Sequence, residues 1–591
     1  MVSFRPTLFP DQSFDVQHRD DGAILIRSDL ALPGDREHVI APVMEWAKLK
    51  PGAAAFAERK DEDALTWRFL TWSALRNDIY RFGNALLENG LGQHSPLVMA
   101  CRNSLDAARL ICAALYVGVP VVPVTPAILN AGDDRLRTVL EKVAAGAVFV
   151  DDGNRLAGFG DLILRLASRS QMTGVTPLAE LSASTHGAES VDGAHAALKP
   201  HHRAKIMFTS GSAGNPKGVV QTFGMLAANR TANAMITASR PIENAQFIDW
   251  MPWSHVMGGN IIFNRSLLAG ATLYIDDGRP VEGQFARTIE NLKSVSPDSF
   301  TSAPLAFSML IDAFERDADL ARGFLRNMRF MTFGGAAMST VVAGRFHALA
   351  ERLFGERITL CSGYGATEAS GSALLQTGAF HRSDLLGLPI PGLTAKLTPG
   401  DGGYELGLSG PMVFSEYLND PDATGAAFDD EGFFKTGDLV TFDTIEDGLV
   451  FSGRASVAFK LDSGTWVNAD GLRRSLIETL APLAQDAIIC GEGRRDVRAL
   501  ILPREEGFKA EFGCSAGEML ENGRRTLEAF VRKRLQQANA GSGSSRRIAR
   551  AAFLDKPVSN AAGEINDKGH VNQRRCLATR RAQVEELYRD C

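Results

Sequence analysis

The stretch Thr209-Ser210-Gly211-Ser212-Ala213-Gly214-Asn215-Pro216-Lys217-Gly218 brings small residues, hydroxyls and a cation together over a short distance. Small residues let backbone amides approach an oxyanion closely, the hydroxyls of Thr209, Ser210 and Ser212 add donors, and Lys217 adds positive charge. That chemistry suits a polyphosphate. The apolar run Ile206-Met207-Phe208 before it, and Val219-Val220 with a helix-like segment from about Thr222 to Ala232 after it, predict a loop leaving a strand. It is not the G-x-x-x-x-G-K-[ST] loop, because a count from Gly211 puts Pro216 where the second glycine belongs and Gly218 where the hydroxyl belongs.

Other positions could share this chemistry. Glu368 ends Tyr364-Gly365-Ala366-Thr367-Glu368, and a carboxylate near a polyphosphate is repelled unless a hard cation lies between them; alone, it could equally be a solvated loop carboxylate. Asp438, after Gly437, is suited to accept hydrogen bonds from a pair of hydroxyls, or is simply a turn aspartate. His255 lies between a Trp-rich segment and the pair Gly258-Gly259, where a lone histidine is either a satisfied core residue or a pocket group. Gly334-Gly335 follow the strand-like Phe330-Met331-Thr332-Phe333 and precede a helix from Ser339; they could let a flat ligand lie on the backbone or serve only as a tight turn.

Taken in order, these stretches resemble the motifs of the adenylate-forming superfamily, which holds acyl- and aryl-CoA ligases, peptide-synthetase adenylation domains and beetle luciferases, and the resemblance covers nearly the whole chain. It implies that the 209–218 stretch, with Thr209, Ser210, Gly211, Ser212, Gly214 and Lys217, binds the phosphates of ATP, and that Gly334 and Gly365 also belong to the ATP site. It further implies that Tyr364 packs on adenine, Thr367 bonds the α-phosphate, Glu368 holds Mg²⁺, and Asp438 and Arg454 hold the ribose. His255, in a Pro-x-x-His-x-x-Gly-like segment, resembles the residue beside the substrate carboxylate that gates the thiol's approach, with Gly334 and Gly335 bordering the same acid pocket. Ser456 stands at the family's hinge position, and Lys460 fits the lysine that follows it. Gly464-Thr465-Trp466-Val467-Asn468-Ala469-Asp470-Gly471 and Gly563-Glu564-Ile565-Asn566-Asp567-Lys568-Gly569 look most like feruloyl-CoA synthases. In the family's last motif, Pro-x-x-x-x-Gly-Lys, the lysine neutralises charge during adenylation; here Gly563 is one residue late after Pro557 and Glu564 takes the next slot. Lys568 is the expected replacement, with Lys556 the alternative.

The elements that must position these residues follow from pattern. Apolar strand-like runs at 96–100, 119–124 and 144–150 alternate with helix-like segments at 72–87 and 104–117, which predicts a wound α/β sheet. The stretch 168–199 is polar and weakly periodic and is read as a surface approach to the phosphate loop, while Leu388-Pro389-Ile390-Pro391-Gly392 and the 407–413 segment look like short strands of a β-rich subdomain. The fold expected is α/β: a large N-terminal domain, 1–453, of wound α/β sheets with a β-rich subdomain, and a small mobile α+β C-terminal domain, 454–591.

Composition is that of a soluble globular protein: 591 residues, 45% hydrophobic, 22% charged and a net charge of -6. That balance gives no electrostatic reason to expect nucleic acid or an anionic membrane as partner. Cysteines at 101, 112, 361, 490, 514, 576 and 591 are scattered and form no C-x-x-C pair, and no signal-like N-terminus or long apolar run is present, so a reducing cytoplasm is expected. The reading is an ATP-dependent acid-CoA ligase using ATP, Mg²⁺ and coenzyme A, with a small-molecule carboxylic acid, a hydroxycinnamic acid such as ferulate, as substrate; the oligomeric state is left open, a homodimer among the options. The alternatives are an adenylating enzyme for another acid or for a carrier-protein acceptor, a luciferase-like oxidase, and a nucleotide-binding protein that has lost adenylation.

Overall fold

The structure is a computed structural model. It describes residues 3–7, 9–60, 66–130, 133–159, 162–182, 187–209, 217–237, 244–281, 283–377, 382, 384–400, 403–455, 459–541, 543, 546–559, 562–564 and 571–589. The chain divides into two compact units, one of residues 1–396, 407–435 and 444–449 and the other of residues 397–406, 436–443 and 450–591.

The first unit is built on sheets of the α/β type. Its seven-stranded sheet runs in the order Lys217–Thr222, Arg203–Thr209, Val121–Pro123, Leu97–Ala100, Ala147–Asp152, Leu164–Arg169, Thr176–Pro177. All neighbours are parallel except the first pair, which is antiparallel. Strands such as Leu97–Ala100 are buried along their whole length, as a sheet covered on both faces requires. The covering helices end where the sequence says they should: Thr71 caps Trp72–Glu88, Ser104 caps Leu105–Val117, and Gly118 closes the latter in the left-handed region at φ 82°.

A four-stranded sheet holds Gln246–Asp249, Thr272–Ile275, Ala54–Arg59 and Trp67–Thr71. A further run places Ser299–Ser302, Phe330–Gly334 and Thr359–Ala366 parallel, then Gly371–Gln376 and Leu385–Pro389 antiparallel. Phe56, Trp72, Leu75 and Phe263 are among the fully buried residues of one core, and Phe307, Phe314, Phe324 and Phe346 of another.

The polar stretch 168–199 departs from expectation, because it contains the helix Ala188–Ala196. Only Val191 of that helix is buried, so periodicity gives no sign of it. Polar and aromatic contacts hold it instead: the hydroxyls of Tyr80 and Tyr116 donate to Asp192 at 3.0 and 2.9 Å, and His195 stacks on Tyr116 with ring centroids 4.0 Å apart.

The second unit contains the antiparallel pairing of Asp438–Thr441 with Val450–Arg454, and a sheet in which Val497–Pro503 lies between Ala484–Cys490 and Ile548–Phe553. Val467, Leu476, Ile489, Phe508 and Val531 share its core. Among the described residues, no helix is long and apolar enough to cross a membrane.

Candidate active site

The strands flanking the phosphate-loop sequence are those expected. Arg203–Thr209 and Lys217–Thr222 pair antiparallel with Thr209 opposite Lys217. Ser210, Gly211, Ser212 and Gly214 lie outside the described residues, as do Ser456 and Lys568. Gly218 sits close to the 416–418 segment: Leu418 N donates to Gly218 O at 2.7 Å, and Val219 bridges Tyr417.

That pairing sets Tyr417 between two charges. Lys217 Nζ lies 4.7 Å from the centre of the Tyr417 ring, and the Tyr417 hydroxyl donates to Glu368 Oε1 at 2.9 Å. Burial, then the neighbouring Glu368 charge, raises the phenol above its ordinary pKa, so it stays a donor. The sequence carries no motif that marks Tyr417 as part of a site. The signal it lacks is the contact with Glu368, 49 positions away.

Glu368 belongs to the one-turn 3₁₀ helix Thr367–Ala369, whose backbone is held from several directions. Gln221 Nε2 donates to Thr367 O at 2.8 Å, Asn229 Nδ2 to Ala369 O at 3.1 Å, Asn260 Nδ2 to Ser370 O at 3.0 Å, and Phe414 N to Glu368 O at 2.7 Å. The side chains of Thr367 and Glu368 are half-buried. Gly365, just before the turn, is sterically required: a Cβ there would lie 1.6 Å from Gly371 O. Tyr364 is half-buried in the same strand, opposite Leu374.

His255 is half-buried rather than part of the core, and its Nδ1 accepts from Met257 N at 3.3 Å, which leaves the proton of a neutral ring on Nε2. It precedes the π-helical turn Met257–Ile262. Gly258 and Gly259 allow that turn to press on its own approach, since a Cβ at either would lie 2.5 Å from Met251 O or 2.2 Å from Trp253 O. Gly334 joins the same neighbourhood. It pairs with Gly363, and a Cβ on it would lie 2.8 Å from Gly363 O and 3.1 Å from Met257 Cε. Gly335 is exposed, at φ 80°, with open space where a Cβ would go. Within the first unit, contacts thus link Lys217 to Glu368 through Tyr417, and Gly334 to the His255 segment through Met257, while the strand Thr359–Ala366 runs from Gly363, beside Gly334, to the turn bearing Thr367 and Glu368.

In the second unit Asp438 and Arg454 are cross-strand partners. Asp438 is buried, and Arg454 Nε lies 3.0 Å from its Oδ1, while Arg454 N donates to Asp470 Oδ2 at 3.1 Å. Gly437 takes φ 73°, the tight turn expected before the aspartate. Lys460 is exposed, with Nζ 5.6 Å from the Trp466 ring centre, and Lys556 is exposed. Glu564 does not face outward. It is 3% exposed and bound to Arg580 within its own unit, with its carboxyl held down to about 2 by the Arg580 guanidinium and by Thr579 and Ser559.

The donor set fits the metal implied. Among the described residues no group of His, Cys, Asp and Glu could cage a metal on its own; Glu368 is a half-buried carboxylate linked through Tyr417 to the strand after the 210–216 stretch, and a single such carboxylate would suit Mg²⁺ if substrate phosphates and water completed its oxygen shell.

Two sequence profiles together match most of the chain. The sequence profile of AMP-binding enzymes matches residues 44–418, and that of the AMP-binding enzyme C-terminal domain matches 461–591. The long-chain-fatty-acid–CoA ligase FadD15 of Mycobacterium bovis is 24% identical over 94% of this chain and 98% of its own length. The 4-coumarate–CoA ligase-like 9 of Arabidopsis thaliana is 25% identical over 74% of this chain and 77% of its own. Among solved structures, McyG A-PCP complexed with phenylalanyl-adenylate shares the fold at a TM-score of 0.70, with 19% identity over 94% of this chain and 86% of that one. With the profile match spanning well over half its length, the chain belongs to the AMP-binding enzymes of the adenylate-forming superfamily.

Proposed function

We propose that this protein is an AMP-forming acid-CoA ligase whose acid is a hydroxycinnamate such as ferulate. The observation that carries the first half-reaction is the Lys217–Tyr417–Glu368 arrangement, which sets a cation over one aromatic ring and a carboxylate on that ring's hydroxyl, beside the phosphate-loop strands. The CoA acceptor is supported by likeness to FadD15 along nearly the whole chain, and the aryl acid by the feruloyl-CoA synthase-like stretches 464–471 and 563–569.

The acid's carboxylate oxygen attacks the α-phosphorus of ATP, the bond to the bridging oxygen breaks, and pyrophosphate leaves; the CoA sulfur then attacks the acyl carbon, expels AMP and gives up its proton to solvent. Displacement at phosphorus needs chiefly positioning and charge neutralisation. In this reading Lys217 and the 209–214 residues hold the phosphates, Tyr364 faces adenine, Thr367 bonds the α-phosphate, and Asp438 and Arg454 hold the ribose. His255, Gly334 and Gly335 border the acid. Mg²⁺, when bound at Glu368, screens the triphosphate charge. Lys568 serves adenylation from a small domain, 454–591, that turns about Ser456 so that Lys460 serves the thioester step. We place the enzyme in the cytoplasm.

Incubation with ATP, Mg²⁺, ferulate and CoA, following AMP and thioester together, tests the reading. Equal amounts of both are expected. AMP without thioester would point to another acceptor, and neither product with ferulate while palmitate gives both would overturn the aryl acid and keep the ligase.

A further inference from the structure

Behind the candidate site lies a set of buried polar side chains that no role above uses. Lys205, in the strand before the phosphate loop, is 2% exposed, and its ammonium donates to Gly259 O at 2.6 Å and to Asn260 Oδ1 at 3.0 Å. Asn260, 4% exposed, donates through Nδ2 to Gln221 Oε1 at 2.9 Å and to Ser370 O at 3.0 Å. Gln221, fully buried, donates through Nε2 to Thr367 O at 2.8 Å.

The sequence of donors has only one sense. An ammonium carries donors alone, so Asn260 must turn Oδ1 to it and Nδ2 away. Nδ2 then requires Gln221 to present Oε1, which aims Nε2 at the Thr367 carbonyl. Flipping either amide would set donor against donor or acceptor against acceptor in a place without solvent. One end of this relay is the turn whose side chains are Thr367 and Glu368; the other is Gly259, whose amide donates to His255 O at 2.8 Å. Asn229 braces the same turn, donating to Ala369 O at 3.1 Å and Ser372 O at 2.7 Å.

An ammonium this deep costs free energy that an apolar residue of similar length would not, and burial alone lowers Lys205 to about 8. Such a group is retained where its orientation of its neighbours matters. We propose that Lys205, Asn260 and Gln221 are positioning residues that lock the turn bearing Thr367 and Glu368 in register with the segment bearing His255, so that acid and α-phosphate meet in line. The proposal rests on the adenylation reading and adds to it the part that aligns the two reactants.

The test uses the full chain carrying Lys205→Met, Gln221→Met, or both together, methionine being close in length to each side chain and free of donors. Pyrophosphate exchange into ATP is measured with ferulate, palmitate and malonate as probes, alongside thermal unfolding. Misalignment away from the reacting atoms predicts a loss of ~10- to 100-fold in kcat for each single variant that folds. The KM for ATP should stay within about threefold, because ground-state binding is kept. The double variant should lose no more than the worse single one, since Lys205 reaches the Thr367 carbonyl through Asn260 and Gln221. If Lys205→Met fails to fold, Gln221→Met alone decides. Folded variants with unchanged kcat, or with kcat and KM changed alike and additive losses, would overturn the inference while leaving the ligase reading standing. A wild-type chain that exchanges with none of the acids overturns both.

Discussion

Arg580 closes on Glu564 as a two-pronged pair, Nε on Oε1 at 2.8 Å and Nη2 on Oε2 at 2.8 Å. Thr579 Oγ1 adds a bond to Oε1 at 2.6 Å and Ser559 N one to Oε2 at 2.8 Å. The guanidinium also donates to Lys556 O at 3.0 Å and Pro557 O at 2.8 Å. The carboxylate standing in the family's lysine slot is therefore spent on holding its own segment.

A pH prediction follows from that pair. With its carboxyl lowered to about 2 in the folded chain against ~4.3 unfolded, Glu564 contributes stability above the unfolded value and loses it as pH falls toward the folded one. Glu564→Gln keeps the hydrogen-bonding shape and removes the charge, so it should cost about 1–3 kcal/mol at pH 7. The gap from wild type should narrow as pH drops below ~4.3. Urea unfolding of the C-terminal unit's signal from pH 7 to 3 measures it; a gap that is the same at every pH would contradict the assignment.

Local pattern carries the strands and helices around the site because each announces itself within a few residues: Ile206-Met207-Phe208 is an apolar run ending in small residues, and Ser104 and Gly118 bracket a helix. Motif resemblance then supplies Glu368 and Asp438. What escapes is held by distance in sequence. Tyr417 meets Glu368 across 49 positions and Gln221 meets Thr367 across 146, and neither pairing leaves a local signature. Gly334 and Gly365 are legible as glycines, yet their geometry shows close backbone approach, which alone accounts for them whatever else they border.

Because Tyr417 fixes the Glu368 carboxylate, the two residues should differ in kind when changed. Glu368→Gln should leave the fold intact and sharply lower adenylation, with partial relief at high Mg²⁺. Tyr417→Phe removes only the hydrogen bond to a charged group, worth ~1.5–3 kcal/mol, so it should raise the Mg²⁺ needed for half-maximal rate and leave the rate at saturating Mg²⁺ near wild type. Initial rates across a Mg²⁺ titration decide; unchanged turnover in Glu368→Gln would remove that residue from the site.

At Gly334, packing comes before ligand. A Cβ 2.8 Å from Gly363 O is closer than backbone tolerates, so Gly334→Ala should destabilise the first unit by ~1–3 kcal/mol by forcing its strand from the neighbouring one. The acid pocket is better probed at Met257, which lies against Gly334 and donates its amide to His255 Nδ1. Met257→Ala should change the KM for the acid several-fold more than that for ATP. Steady-state kinetics with each substrate varied in turn would show it, and equal effects on both would argue that this segment is not the acid's wall.

The remaining prediction concerns the lysine of adenylation. A cation must approach the forming bond, because the acid and the α-phosphate are both anionic, and Glu564 is committed to Arg580. The described residues on either side of 565–570 are tied together, Asn572 N donating to Glu564 O at 2.8 Å. Lys556, by contrast, has its carbonyl held by the same Arg580, and its exposed side chain lies eight positions before the Glu564 slot. Only the first half-reaction needs this charge. Lys568→Ala should cost on the order of 10²-fold or more in acyl-adenylate formation, the size of losing one preorganised charge at a transition state. Thioester formation from supplied feruloyl-adenylate should change little. Single-turnover measurements of the two half-reactions separate these outcomes: normal adenylation by Lys568→Ala with loss in Lys556→Ala would transfer the role to Lys556, and normal adenylation by both would mean that neither lysine supplies the charge.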